Sequence, residues 1–213
     1  RDSDGSVVQD HSLELRDAEA IDASLDTEGK FGSGILLMPD MNESKILLPE
    51  GNRLSLNSKN WTISTWFSAP LPSTGVDDFH ALFNEYLQPY VAFNFSPKTL
   101  MLFDGSSFSD TTYIFDDSPG WHHLVVRSST SGMDFFIDGI LRDSFNKGIL
   151  LNIESVGNLF GGYGTFSEKL DDFRIYSKSL TNSEVVELYG NGDGDFGVHP
   201  MVNFHLNLIT FPK

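Results

Sequence analysis

Residues 133–145 read MDFFIDGILRDSF. Met133, Phe135 and Ile137 alternate with Asp134, Phe136 and Asp138, the period of two expected of a half-buried strand. Only Asp138 and Gly139 separate this run from a second one at 140–145. An Asp-Gly pair tolerates the positive φ that a type I′ turn needs at both central positions, so the two runs are antiparallel neighbours.

Working outward, the same pattern recurs. Val91, Phe93 and Phe95 alternate with Ala92 and Asn94, and short apolar runs lie at 45–48, 61–68, 99–103, 112–115, 121–127, 156–160 and 170–176. The connections carry Gly, Ser, Asn and Asp. Eighteen Phe, six Tyr and three Trp, with few runs of helix formers, favour strands. Many short strands at close spacing predict an all-β, antiparallel two-sheet jelly-roll sandwich. One short helix stands apart near 181–189: Thr181 caps it, Glu184 completes a capping box, and Gly190 ends it.

The 213 residues are expected to form a single domain, since all-β units of this size are common. Such a chain buries roughly 70% of its unfolded surface and needs neither metal nor disulfides to have a core. Residues 1–6 and 191–197 read as loop or linker. At 202–208, Val202, Phe204, Leu206 and Leu208 share one face, so 191–213 is expected to be a linker plus an extra C-terminal strand.

The net charge of −16 opposes phosphate backbones and argues against nucleic-acid binding. Without cysteine there is no disulfide framework, thiolate zinc site or Cys nucleophile. No apolar run approaches the ~18 to 20 residues of a membrane helix, so no membrane insertion is expected. Arg1 in place of an initiator Met points to a piece of a longer, multidomain precursor.

Five segments in order resemble the laminin G-like modules of the concanavalin A-like lectin/glucanase superfamily: GKFGSGILL (29–37), SKILLPEGNRLSLNSKNWTISTWFS (44–68), GWHHLVV (120–126), FFIDG (135–139) and LDDFRIYSKSLTNSEVVELY (170–189). The resemblance covers about residues 7 to 190 and implies a concanavalin A-like jelly roll, extracellular or at the cell surface. It also implies a calcium ion between an N-terminal loop and the last strand, with Asp10 in the loop and Asp171 or Asp172 on the strand. Adjacent strand residues face opposite ways, so one of these two is expected to ligate, with Asp172 slightly preferred. The aromatic first strand of the family is absent here, and the C-terminal strand is expected to take its place.

Sugar binding uses aromatic faces with a few polar groups beside them. Tyr86, Tyr90, Phe108, Tyr113, Tyr163 and Phe166 lie in or beside expected loops, with Asp104 among their polar neighbours. Tyr86, Tyr90, Asp104, Tyr113, Tyr163 and Phe166 are therefore the candidate ligand-binding residues. Other motifs carry less. Asn191, Asp193 and Asp195 copy the start of an EF-hand loop, but Phe196 stands where Gly is needed and Val202 where Glu is needed. His122 and His123 diverge on a strand and read as structural. Sequons occur at Asn42, Asn60 and Asn94. No Glu-x-Asp-x-x-Glu string, G-x-S-x-G or P-loop occurs, so no catalytic residue is assigned.

The expected function is a non-catalytic recognition module for glycan or a cell-surface protein. A protein-binding or spacer adhesion module is the alternative, and a polysaccharide-degrading enzyme ranks behind both.

Overall fold

The computed structural model describes residues 6–8, 17–37, 44–48, 54–56, 58–72, 79–84, 89–94, 96–157, 164–165, 167–190 and 202–204. Two antiparallel sheets face each other. From edge to edge, the first contains β1 (Ser6–Val8), β2 (Ala18–Ile21), β5 (Lys45–Leu47), β16 (Ser155–Gly157), β8 (Phe79–Asn84), β9 (Tyr90–Asn94), β10 (Thr99–Phe103) and β11 (Phe108–Ile114). The two-residue β17 (Gly164–Thr165) runs parallel to β8. The second sheet contains β14 (Ile140–Phe145), β13 (Met133–Ile137), β12 (Gly120–Ser128), β7 (Trp61–Ala69), β18 (Lys169–Tyr176), β4 (Gly32–Leu37) and β3 (Ala23–Gly29). A separate pair joins β6 (Leu54–Leu56) to β15 (Leu151–Ile153).

The expected hairpin is present: Asp138 and Gly139 have φ of 54° and 72°, and Ile137 pairs with Ile140. Met133, Phe135 and Ile137 enter the main core between the sheets, beside Phe67, Phe83, Phe93 and Phe173. Phe136, in the opposite phase, is buried too. The reason is α1 (Asn182–Tyr189), which lays Val185 and Leu188 over Val125, Phe136 and Tyr176 on the outer face of the second sheet. Thr181 and Glu184 form the capping box, and Gly190 closes the helix at φ 54°. Among the described residues no helix is long and apolar enough to cross a membrane.

Strand β18 is shared. Its first residues pair with β4, while Phe173, Arg174 and Ile175 pair with β19 (Val202–Phe204). Between these two partners its register against β7 slips: Asp171 opposes Trp66, but Arg174 opposes Ser64. Three steps on one strand match two on the other, which is a β-bulge, and Asp172 adopts φ 49° there.

Candidate functional site

Three strands of the second sheet build a cleft at one end of its outer face. In β12, Leu124 and Val126 belong to the core, so Trp121 falls in the opposite phase and points outward. Trp121 pairs across the ladder with Ser68 of β7. On the other side of Ser68, the Lys169 backbone N–H of β18 donates to Ser68 Oγ at 3.1 Å. Ser167 Oγ donates to the Ser68 carbonyl at 2.7 Å and fixes the spacing of the two strands.

Ser68, Trp121 and Lys169 line a cleft of about 520 Å³, together with Glu28, Glu168 and the Pro70–Leu71–Pro72 segment. That segment is held by Asp117, whose Oδ1 accepts the Leu71 N–H at 2.7 Å and whose other oxygen pairs with Lys98. Across the cleft the Lys169 ammonium pairs with Glu28 at 3.1 Å. Trp121 is partly exposed, whereas Trp61 and Trp66 are 0% and 1% exposed. A partly exposed indole beside two solvated carboxylates and a hydroxyl offers apolar surface and hydrogen-bond acceptors at close quarters, the chemistry of a sugar ring's two aspects.

Several residues singled out from the sequence lie elsewhere. Tyr90 opens β9 and is 8% exposed, packed on the outer face of the first sheet against Phe103 at 5.3 Å and Phe108 at 6.5 Å. Asp104 follows Phe103 at the same corner. Its Oδ1 accepts from the Ser106 N–H, the Ser106 hydroxyl and the Ser107 N–H, while Oδ2 pairs with Lys147. Lys147 first, then Ser106 and Ser107, hold this carboxyl well below the usual range. Asp104 thus builds the β10–β11 turn. Tyr113 of β11 is partly buried under the Arg142 guanidinium, 4.8 Å from its ring. Tyr90 and Asp104 share one corner of the first sheet, whereas Tyr113 packs against the core between the sheets. Tyr86, Tyr163, Phe166 and Asp10 lie outside the described residues.

Of the three carboxylates considered for calcium, Asp171 and Asp172 are both buried, at 3% exposure each. Asp171 accepts the Phe31 N–H at 2.9 Å on one oxygen and the Asp172 N–H at 2.7 Å on the other. Asp172 pairs with Arg174 at 2.7 Å. Burial pushes the Asp172 carboxyl up to about 6, against the pull of Arg174. A cation at Asp172 would have to compete with a guanidinium already in place. Among the described residues no three His, Asp or Glu side chains converge as a metal site.

Trp121 is the residue that sequence reasoning passed over. The signal was available, since its phase relative to Leu124 and Val126 sends a large aromatic outward from a strand, but GWHHLVV was read only as a fold signature.

Residues 40–186 match the model of the concanavalin A-like lectin/glucanases superfamily. Mouse usherin (Mus musculus) is 33% identical over 116 residues, covering 44% of this chain and 2% of usherin. The chain therefore spans only a small fraction of the length of that relative. Among solved structures, domain 4 of AbnA, a GH43 extracellular arabinanase from Geobacillus stearothermophilus in complex with arabinotriose, superposes with a TM-score of 0.58. It is 17% identical and covers 85% of this chain and 97% of that one. The binding domain of Paraclostridial Mosquitocidal Protein 1 gives a TM-score of 0.59 at 19% identity, over 88% and 52%. Both likenesses lie in the fold. With the two-sheet sandwich, the Asp-Gly hairpin and the capped helix in place, the chain belongs to the concanavalin A-like lectin/glucanases superfamily as a laminin G-like domain.

Proposed function

We propose that this domain is a non-catalytic recognition module that binds carbohydrate in the Trp121 cleft, as one part of a larger extracellular or cell-surface protein. The observation that carries the proposal is the partly exposed indole of Trp121 sharing a cleft of about 520 Å³ with Glu28, Glu168 and Ser68. The AbnA domain, solved with arabinotriose, supports it by showing an oligosaccharide on a similar sandwich. The size of mouse usherin supports the multidomain setting.

Glycoside hydrolysis needs a pair of carboxyls, one of them a proton donor kept protonated by its surroundings. Glu28 and Glu168 both stand in solvent, and neither has the apolar enclosure from which such a donor is built. Binding without turnover is the better reading. At Asp172 the Arg174 guanidinium already holds the place a cation would take.

A protein-contact role finds support in a different place. Ile114, Ile140 and Leu141 are 59%, 55% and 46% exposed, on strands β11 and β14 at the sandwich edge.

A glycan array probed with the wild-type domain and with Trp121→Ala separates these roles. Carbohydrate recognition predicts wild-type binding that the variant loses by about tenfold or more, as for a buried aromatic anchor. An empty array, or equal binding by both proteins, would overturn the assignment.

A further inference from the structure

Resting on that carbohydrate reading, we infer that the Trp121 cleft selects uncharged oligosaccharides and excludes sulfated and uronate-bearing glycans. Among the described residues the cleft is lined by two carboxylates, Glu28 and Glu168, and by one cation, Lys169. Anionic sugars are held by Arg and Lys side chains that donate charge-assisted hydrogen bonds to sulfate or carboxylate. Here Lys169 already donates to Glu28 at 3.1 Å, so its charge is balanced within the protein and Glu168 tips the cleft negative.

The surroundings reinforce the same sign. The chain carries 30 Asp and Glu against 14 Lys and Arg, so an approaching polyanion meets repulsion before it reaches the indole. A neutral ring meets none, and its hydroxyls are natural donors to the two carboxylates. Its apolar face suits Trp121, and Ser68 Oγ lies at the cleft wall between Trp121 and Lys169. Like-charge juxtaposition is a common way for a site to reject wrong partners, so the carboxylates serve both as acceptors and as a filter.

Calorimetric titration at low salt tests the inference with three neutral probes, arabinotriose, xylotriose and cellotriose, and two anionic ones, a galacturonate trimer and a heparin tetrasaccharide. The expected result is that at least one neutral probe binds about tenfold or more tighter than either anion. Higher salt is expected to narrow that gap by screening. Glu28→Lys/Glu168→Lys is expected to reverse the preference, and the milder Glu168→Gln to narrow it without disturbing a buried group. A heparin tetrasaccharide or galacturonate trimer binding the wild type as tightly as the best neutral probe would overturn the selectivity while leaving carbohydrate recognition standing. If no probe binds and the glycan array is also empty, carbohydrate recognition itself falls, and the selectivity with it.

Discussion

At His122 both ring nitrogens meet groups that only accept. Nδ1 lies 2.8 Å from Asp138 Oδ2 and Nε2 lies 2.9 Å from the Ser118 carbonyl. A carboxylate and a carbonyl can both be satisfied only by two N–H donors, so this geometry selects the imidazolium. The Asp138 contact raises the His122 pKa above 6.5, against its burial, with help from Ser118 and the nearby Asp116. His123, one residue on, is 1% exposed; its Nε2 shares a hydrogen with Ser64 Oγ at 2.8 Å, and its Nδ1 has no partner among the described residues. Burial, then Arg174, pushes its pKa down to about 3. The signs follow. His122 contributes stability that is full below 6.5 and fades as pH rises through its raised value, whereas His123 costs stability as pH falls from 6.5 towards about 3, because the unfolded chain takes up a proton the native one refuses. Ring ¹⁵N spectra recorded from pH 4.5 to 8 are expected to show His122 titrating above 6.5 and His123 neutral throughout; two rings titrating together near 6.5 would contradict this. The divergence of the two side chains was legible in the sequence from strand alternation. Their opposite charge states were not, because they depend on Asp138, Ser118 and Arg174, which only the fold brings near. Alternation also gave no warning at Asp171 and Asp172, where the bulge breaks the period it assumes.

The helix and the hairpin support each other at the level of elements. Tyr189, the last residue of α1, stacks on Trp66 at 5.8 Å and lies against Gly139, where an added Cβ would come within 3.0 Å of its ring. Gly139 is needed there twice over, for this contact and for its positive φ. Leu188→Ala removes a side chain buried against the second sheet and is expected to cost about 2–5 kcal/mol. Thr181→Ala, which removes only the cap, is expected to cost about 1 kcal/mol. Urea unfolding checks both; equal small losses would mean that α1 is not docked as described. The capping box, Gly190 and the Asp-Gly turn were all readable because each is a short-range device. The strands β2, β3 and β4 were not read from periodicity, since the apolar residues of 18–37 do not alternate regularly, β2 pairs with β5 beyond the β3–β4 hairpin, and that hairpin shifts register between Asp26 and Gly29.

For the molecule as a whole, the sandwich brings Ser68, Trp121, Lys169 and Glu28 together from four distant stretches of chain. No spacing rule reaches across such separations, which is why the sequence yielded the architecture and a list of loop aromatics but left the cleft undrawn. The position of the three tryptophans makes the central claim directly measurable. Trp61 and Trp66 are sealed in the protein, so Trp121 supplies the solvent-sensitive fluorescence. Titration with the neutral oligosaccharide selected on the array, read by emission wavelength and acrylamide quenching, is the most direct test. Binding in the cleft predicts a saturable blue shift with protection from quencher, and loss of both in Trp121→Phe when the oligosaccharide is held at the wild-type saturating concentration. Saturable binding with no change in Trp121 emission or quenching, or a response that persists in the variant, would place the ligand elsewhere and contradict the account.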